Sequence, residues 1–90
     1  MQTVKIIVQG RVQGVYFRAY TRKTALKLSI TGTVKNRNDG HVEIVATADP
    51  TAMADFIKWC NKGPLLAKVT DISVNTLTEI EYFNDFDIID

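Results

Sequence analysis

The sequence predicts an α+β fold in which two helices cover one face of a single β-sheet. Three observations predict it: apolar residues alternate in the first segment, helical spacing begins near residue 17, and a second helical segment lies between later strand-like segments. A chain of 90 residues is expected to form one domain, because it buries too little surface to support a second core. We therefore expect a single domain over residues 1–90.

The first half of the chain contains the patterns of a strand, a helix and a hairpin. Alternating apolar side chains predict a strand over residues 3–9. From Phe17 to about Ser29, apolar residues recur at helical spacing and basic residues lie on the opposite face. Segments 31–37 and 40–47 are rich in Val, Ile and Thr and are joined through an Asn-Asp-Gly turn sequence, which predicts two paired strands.

The second half predicts another helix and two further strands. Asp49-Pro50 provides an N-cap and a proline at the first helical position, and the apolar face that follows supports a helix to about Asn61. Gly63-Pro64 ends that helix. Apolar residues between 69 and 74 predict a returning strand, and a short final strand is expected within residues 82–89.

The predicted element order is strand, helix, strand, strand, helix, strand, followed by the short C-terminal strand. Right-handed crossover connections place both helices on one face of an antiparallel sheet, which is the ferredoxin-like sandwich. In that arrangement the loop after the first strand and Asn36, near the end of the second strand, can meet at one edge of the fold.

The loop between the first strand and the first helix has the composition of an anion-binding site. Gly14 can adopt a positive φ at little cost, so successive backbone N–H groups can converge on one oxyanion at the start of the helix. Arg18 adds a planar guanidinium that can bind two phosphoryl oxygens at once. By itself the pattern leaves open an ordinary turn followed by a solvated arginine. The candidate phosphate-binding loop consists of Gln13, Gly14, Val15, Tyr16, Phe17 and Arg18.

A second segment makes the pattern more specific. Residues 10–18 are Gly-Arg-Val-Gln-Gly-Val-Tyr-Phe-Arg, and residues 32–42 carry glycine, valine and asparagine at regular intervals. The two segments together resemble the signatures of the acylphosphatase family, Gly-x-Val-Gln-Gly-Val-x-Phe-Arg and Gly-x-Val-x-Asn-x-x-x-Gly-x-Val. The resemblance extends over nearly the whole chain, since a later Gly-Pro followed by Ala-Lys-Val also looks like the family.

The resemblance implies an acylphosphatase, which hydrolyses acyl phosphates to a carboxylate and inorganic phosphate without a metal or another cofactor. It also implies that Arg18 binds the phosphoryl group and that Asn36 orients the attacking water. The two motifs contain no obvious general base, so we expect a phosphoryl oxygen of the substrate to accept the proton of the water. A carboxylate leaving group needs no general acid, which fits this shortage of titratable side chains.

Charge is distributed unevenly along the chain. The first 38 residues carry a formal charge of +8 with no acid, and the remainder carries −7. Such polarity can steer a small anion, although the predicted fold interleaves the two halves. We expect a local excess of positive potential near the loop.

Composition also limits the expected partners and location. Cys60 has no cysteine partner and lies on an apolar helical face, so we expect it in the core. No apolar run is long enough for a signal-peptide core or a membrane span. We expect a cytoplasmic monomer that acts on a small-molecule acyl phosphate and binds neither nucleic acid nor a membrane.

Two other functions stay open. The first is a noncatalytic anion- or RNA-binding module, because the predicted fold carries many functions. RNA binding has little support, since the strands at 3–9 and 40–47 contain no aromatic residue on which bases could stack. The second is an accessory domain that acts only on an acyl phosphate made by a partner enzyme.

Overall fold

A computed structural model describes all 90 residues and contains five strands and two helices. The elements are β1 Gln2–Arg11, α1 Phe17–Lys27, β2 Thr31–Asn36, β3 Val42–Ala48, α2 Pro50–Lys62, β4 Lys68–Thr76 and β5 Phe86–Ile88. This order confirms the predicted α+β, ferredoxin-like sandwich. The final strand is shorter than the predicted segment, because residues 77–85 form an irregular connection instead.

The sheet has the strand order β4-β1-β3-β2-β5. β1 pairs antiparallel with β3 and β4, and β2 pairs antiparallel with β3, as predicted. The short C-terminal strand differs, because β5 pairs parallel with β2 and makes the sheet mixed. The direction follows from the connection: the chain leaves β4 at the end of the sheet where β2 begins and crosses to the other edge before it forms β5.

Residues 77–85 cross the face of the sheet that carries no helix, and a buried group of hydroxyls holds them there. The Oγ1 atoms of Thr3 on β1 and Thr47 on β3 lie 2.7 Å apart. Thr47 Oγ1 donates to the carbonyl oxygen of Glu81 at 2.6 Å, and the Glu81 N–H donates to Thr3 Oγ1 at 2.9 Å. The three bonds form a closed ring in which each hydroxyl is both donor and acceptor, so the crossing segment is fixed to the two central strands.

The apolar core lies between the sheet and the two helices. Its largest fully buried side chains include one phenylalanine from each of three elements, Phe17 of α1, Phe56 of α2 and Phe86 of β5. Cys60 is buried beside them, as predicted, and burial raises the pKa of its thiol to about 12. Neither helix has the length and apolar character needed to cross a membrane.

The start of α2 follows the predicted capping pattern. Asp49 Oδ1 accepts a hydrogen bond from the N–H of Ala52 at 2.9 Å, and Pro50 occupies the first helical position. Gly63 follows the helix with a φ of 69°, a conformation that favours glycine. The predicted boundaries are therefore correct to within one residue.

Replacing Thr47 with Val tests the hydroxyl ring. The substitution keeps the shape of the side chain but removes the short hydrogen bonds of Thr47 Oγ1 and leaves the Glu81 carbonyl only a long 3.5 Å contact with Thr3 Oγ1, so we expect the free energy of unfolding to fall by about 1–2 kcal/mol. Urea denaturation measures this change. Thr33→Val is the matched control, because Thr33 on β2 lies on the same open face of the sheet but outside the ring. This substitution should change stability by less than about 0.5 kcal/mol. Equal losses in the two variants would show that the ring contributes no more to the free energy of unfolding than a threonine hydroxyl elsewhere on the open face.

Candidate active site

The loop from residue 12 to residue 16 leaves β1 through a β-bulge. The pairing of β1 with β4 shifts by one residue between Gln9 and Gly10. A Cβ atom on Gly10 would lie 2.1 Å from the carbonyl oxygen of Lys68, so no larger residue fits there without moving β4. The bulge therefore sets the direction in which the loop departs from the sheet.

Backbone conformation within the loop turns several N–H groups toward one side. Gly14 has a φ of 74°, and Tyr16, which caps α1, has a φ of 63° and a ψ of 21°. Both residues are left-handed, and such residues next to right-handed ones create concave arrangements of N–H groups that bind anions. Space around Gly14 is open, so its requirement for glycine comes from φ alone.

The backbone N–H groups from Gln13 to Ala19 have no acceptor within the protein. The N–H of Tyr20 is the first of this region to find one, the carbonyl oxygen of Tyr16 at 3.1 Å. A helix start always leaves its first N–H groups unpaired, and here the loop adds further ones directly before them. Together with the positive end of the α1 dipole, these groups form a site suited to a phosphoryl group.

The side chain of Gln13 attaches the loop to the β2–β3 hairpin. Its Nε2 donates to the carbonyl oxygen of Arg37 at 2.8 Å and to that of His41 at 2.9 Å. The same hairpin is closed by the N–H of Arg37, which donates to the His41 carbonyl at 2.8 Å. Asn36 immediately precedes this point, so Gln13 fixes the loop relative to the strand that carries Asn36.

Arg18 and Asn36 line one cleft of about 380 Å³. Its other lining residues come from the loop, the first turn of α1 and β5: Val12, Gly14, Tyr16, Phe17, Ala19 and Ile88. Asn36 Oδ1 is buried and has no hydrogen-bond partner. A buried, unpaired amide oxygen is rare in folded proteins and needs an explanation, which a bound water or substrate would supply.

Arg18 has no ionic partner, in contrast to the two basic residues of the β2–β3 hairpin. Arg37 binds Asp39 and Glu43, each at 3.0 Å, and Lys35 lies 3.8 Å from Glu43. The hydrogen bond from the His41 N–H and the Arg37 guanidinium keep the pKa of Asp39 below its usual value. These pairs line a neighbouring hollow of about 510 Å³ on the hairpin side, which shares Asn36 with the cleft and in which the charges are already compensated. The uncompensated guanidinium of Arg18 makes the smaller cleft the better anion site.

The structure brings together most, but not all, of the predicted site residues. Gly14, Tyr16, Phe17, Arg18 and Asn36 line the cleft. Val15 is buried in the core, and the side chain of Gln13 points to the hairpin, so these two can contribute only their N–H groups to an anion. Sequence patterns missed Ile88, which joins the cleft because β5 pairs beside β2.

Comparisons with known proteins agree with this geometry. The family model for acylphosphatase matches residues 4–88. The chain belongs to the acylphosphatase family. Acylphosphatase from Methylococcus capsulatus is 39% identical over 89 residues, which cover 99% of this chain and 97% of the relative.

Solved structures of the family have the same fold. The crystal structure of acylphosphatase from Bacillus subtilis superposes with a TM-score of 0.95 at 43% identity and covers 99% of each chain. An acylphosphatase structure from Coxiella burnetii superposes with a TM-score of 0.93 at 34% identity, covering 98% of this chain and 92% of that one. The acylphosphatase fold therefore accounts for the whole chain.

Gln13→Met tests the attachment of the loop in this acylphosphatase family member. The substitution keeps the length of the side chain but removes both hydrogen bonds to the hairpin, so we expect the free energy of unfolding to fall by about 1–3 kcal/mol. Because the loop is then less well fixed, the affinity for inorganic phosphate should fall as well. Urea denaturation and phosphate titration by calorimetry measure the two effects. Gln9→Met on β1 is the control, and phosphate binding that survives intact in Gln13→Met would contradict the positioning role.

Proposed function

We propose that this protein hydrolyses the carboxyl–phosphate bond of acyl phosphates, with Arg18 and the N–H groups of residues 13–18 binding the phosphoryl group and Asn36 orienting the attacking water. One observation carries the assignment of roles: an unpaired arginine, a run of unpaired N–H groups and an unpaired asparagine amide oxygen occur at one cleft. In the free protein each of these groups lacks a hydrogen-bond or ionic partner, which a bound phosphoryl group or water would provide.

Phosphoryl transfer requires mainly charge stabilisation and correct placement. In the transition state, negative charge is spread over the equatorial oxygens of the phosphoryl group. The N–H groups of the loop are held by the backbone before substrate arrives, so they stabilise that charge with little reorganisation, and the Arg18 guanidinium adds a positive charge at the same cleft. Lys35 and Arg37 on the hairpin are occupied by carboxylates, and Arg18 is the basic residue that lines the cleft, so this task is left to Arg18.

Asn36 is suited to hold the nucleophile. Its amide offers an acceptor and a donor, so one water can be held with a lone pair directed at phosphorus. The new P–O bond forms from that lone pair, the bond between phosphorus and the acyl oxygen breaks, and its electron pair leaves with the carboxylate. An amide cannot accept the proton of the water, so the proton goes to a phosphoryl oxygen of the substrate.

The acids near the cleft do not replace this proton acceptor. Asp39 lies at the hairpin turn, and its lowered pKa makes it a weaker base than an ordinary aspartate, while Glu43 is engaged by Lys35 and Arg37. It also accepts hydrogen bonds from Arg37 and from the His41 N–H, which direct it toward the hairpin turn. Substrate-assisted proton transfer, with a carboxylate of low basicity as leaving group, needs no enzyme acid or base.

A noncatalytic RNA-binding role has less support. The open face of the sheet presents Lys5, Ile7 and Gln9 from β1 and Glu43 and Val45 from β3, with no aromatic residue for base stacking. Turnover of an acyl phosphate by the isolated protein would distinguish this proposal from a role as an accessory domain that needs a partner enzyme. We further propose that the protein works as a cytoplasmic monomer and needs no metal ion.

Arg18→Ala tests the phosphoryl-binding role. We expect kcat/KM for benzoyl phosphate, assayed with a chelator present, to fall about a thousandfold or more, as in other phosphoryl transfers that lose an essential arginine. Lys23→Ala removes the same charge from an exposed position of α1 and should change kcat/KM less than about threefold. Equal losses in both variants would mean that only the general positive potential matters.

Asn36→Ala tests the placement of water. We expect kcat to fall about a hundredfold, because a nucleophile that is no longer aligned reacts slowly, whereas competitive inhibition by inorganic phosphate should be nearly unchanged. Steady-state kinetics with phosphate as inhibitor separate these quantities. Asp39→Asn is the control for proton transfer, and a kcat as low as that of Asn36→Ala would show that the Asp39 carboxylate, rather than the substrate, accepts the proton.

A further inference from the structure

Apolar and aromatic side chains line the entrance of the cleft, and the proposed binding of the phosphoryl group does not involve them. The phosphoryl group contacts N–H groups and Arg18, yet the cleft measures about 380 Å³, within the range of pockets that hold whole small molecules. Three of its lining residues are exposed and apolar or aromatic: Tyr16 at 71%, Ile88 at 42%, and Ala19. The part of the substrate beyond the phosphoryl group therefore meets these side chains first.

Tyr16 is an unexpected residue at its position. It adopts a left-handed conformation, which glycine and asparagine tolerate and which is costly for a large side chain. The side chain is largely exposed and has no hydrogen-bond partner in the protein, so packing does not account for an aromatic ring there. The fold accepts local strain and holds a ring at the edge of the cleft.

In-line displacement decides which wall of the cleft faces the acyl group. The attacking oxygen and the leaving oxygen lie on opposite sides of phosphorus. Asn36 on β2 and Ile88 on the neighbouring β5 belong to the wall formed by the sheet, whereas Tyr16 belongs to the wall formed by the loop. With water held by Asn36, the acyl group points away from the sheet wall, and Tyr16 is the exposed aromatic residue that lines the cleft outside that wall.

We propose that Tyr16 forms an acyl subsite that favours acyl phosphates with an aromatic or other flat apolar acyl group over short aliphatic ones. The inference rests on the proposed function and adds a substrate class to it. Tyr16 acts here through its ring, which contacts the leaving group, while its backbone N–H belongs to the phosphate-binding loop. Ile88 is also exposed but lies on the side of the nucleophile, so it contributes little to this preference.

The test compares kcat/KM for benzoyl phosphate and for acetyl phosphate in the parent and in three variants. Tyr16→Asn replaces the ring by a residue that tolerates the left-handed conformation, and Tyr16→Phe keeps the ring. Ile88→Thr replaces an apolar side chain of the opposite wall by a β-branched polar one. The readout is the ratio of the two kcat/KM values, because a general disturbance of the phosphate loop lowers both values together and leaves their ratio unchanged.

We expect the benzoyl-to-acetyl ratio to fall about three- to tenfold in Tyr16→Asn, which corresponds to the loss of one aromatic contact. The ratio should stay within about twofold of the parent in Tyr16→Phe and Ile88→Thr. An unchanged ratio in Tyr16→Asn, or a fall in the ratio in Ile88→Thr alone, would overturn the subsite assignment. In that case, turnover of acetyl phosphate by the parent would still support the proposed function. Absence of turnover of both substrates by the folded parent would instead overturn the proposed function itself.

Discussion

The amide of Gln13 makes the interaction on which the candidate site depends. Its two hydrogen bonds join the loop after β1 to the carbonyl groups that follow Asn36. Without them the loop is held only by its connection to β1 and α1 and by the buried side chains of Val12 and Val15. Two short motifs that are distant in sequence thus become one site because a single side chain spans the gap between them.

Charge compensation then determines where an anion binds. The hairpin carries Lys35 and Arg37, but Glu43 and Asp39 neutralise both. Arg18 stands on the first turn of α1, where neither the loop nor the helix contains an acid. The preference of the cleft for an anion therefore depends on an unpaired arginine that lines it, and the two paired basic residues of the hairpin add little.

The sequence predicted the elements well, because local periodicity and capping residues encode them, and the two short motifs led us to expect that the loop and Asn36 meet at one edge, where Arg18 and Asn36 line one cleft. It predicted the loop residues as one group, although the structure divides them: Val15 packs in the core and Gln13 binds the hairpin. The parallel direction of β5 and the place of Ile88 were not predicted. They depend on the path of residues 77–85 across the sheet, which no local pattern encodes.

The crossing segment has a consequence for the order in which the molecule assembles. Its attachment needs Thr3 and Thr47 side by side, so β1 and β3 must pair before Glu81 can bind them. β5 follows this attachment, and the Ile89 N–H donates to the Val34 carbonyl at 2.9 Å. The part of the sheet wall that contains Ile88 therefore depends on the crossing segment, and release of the C-terminal segment would open that side of the cleft while the four long strands remained paired. Anion affinity would then report on a local opening equilibrium and not only on global stability.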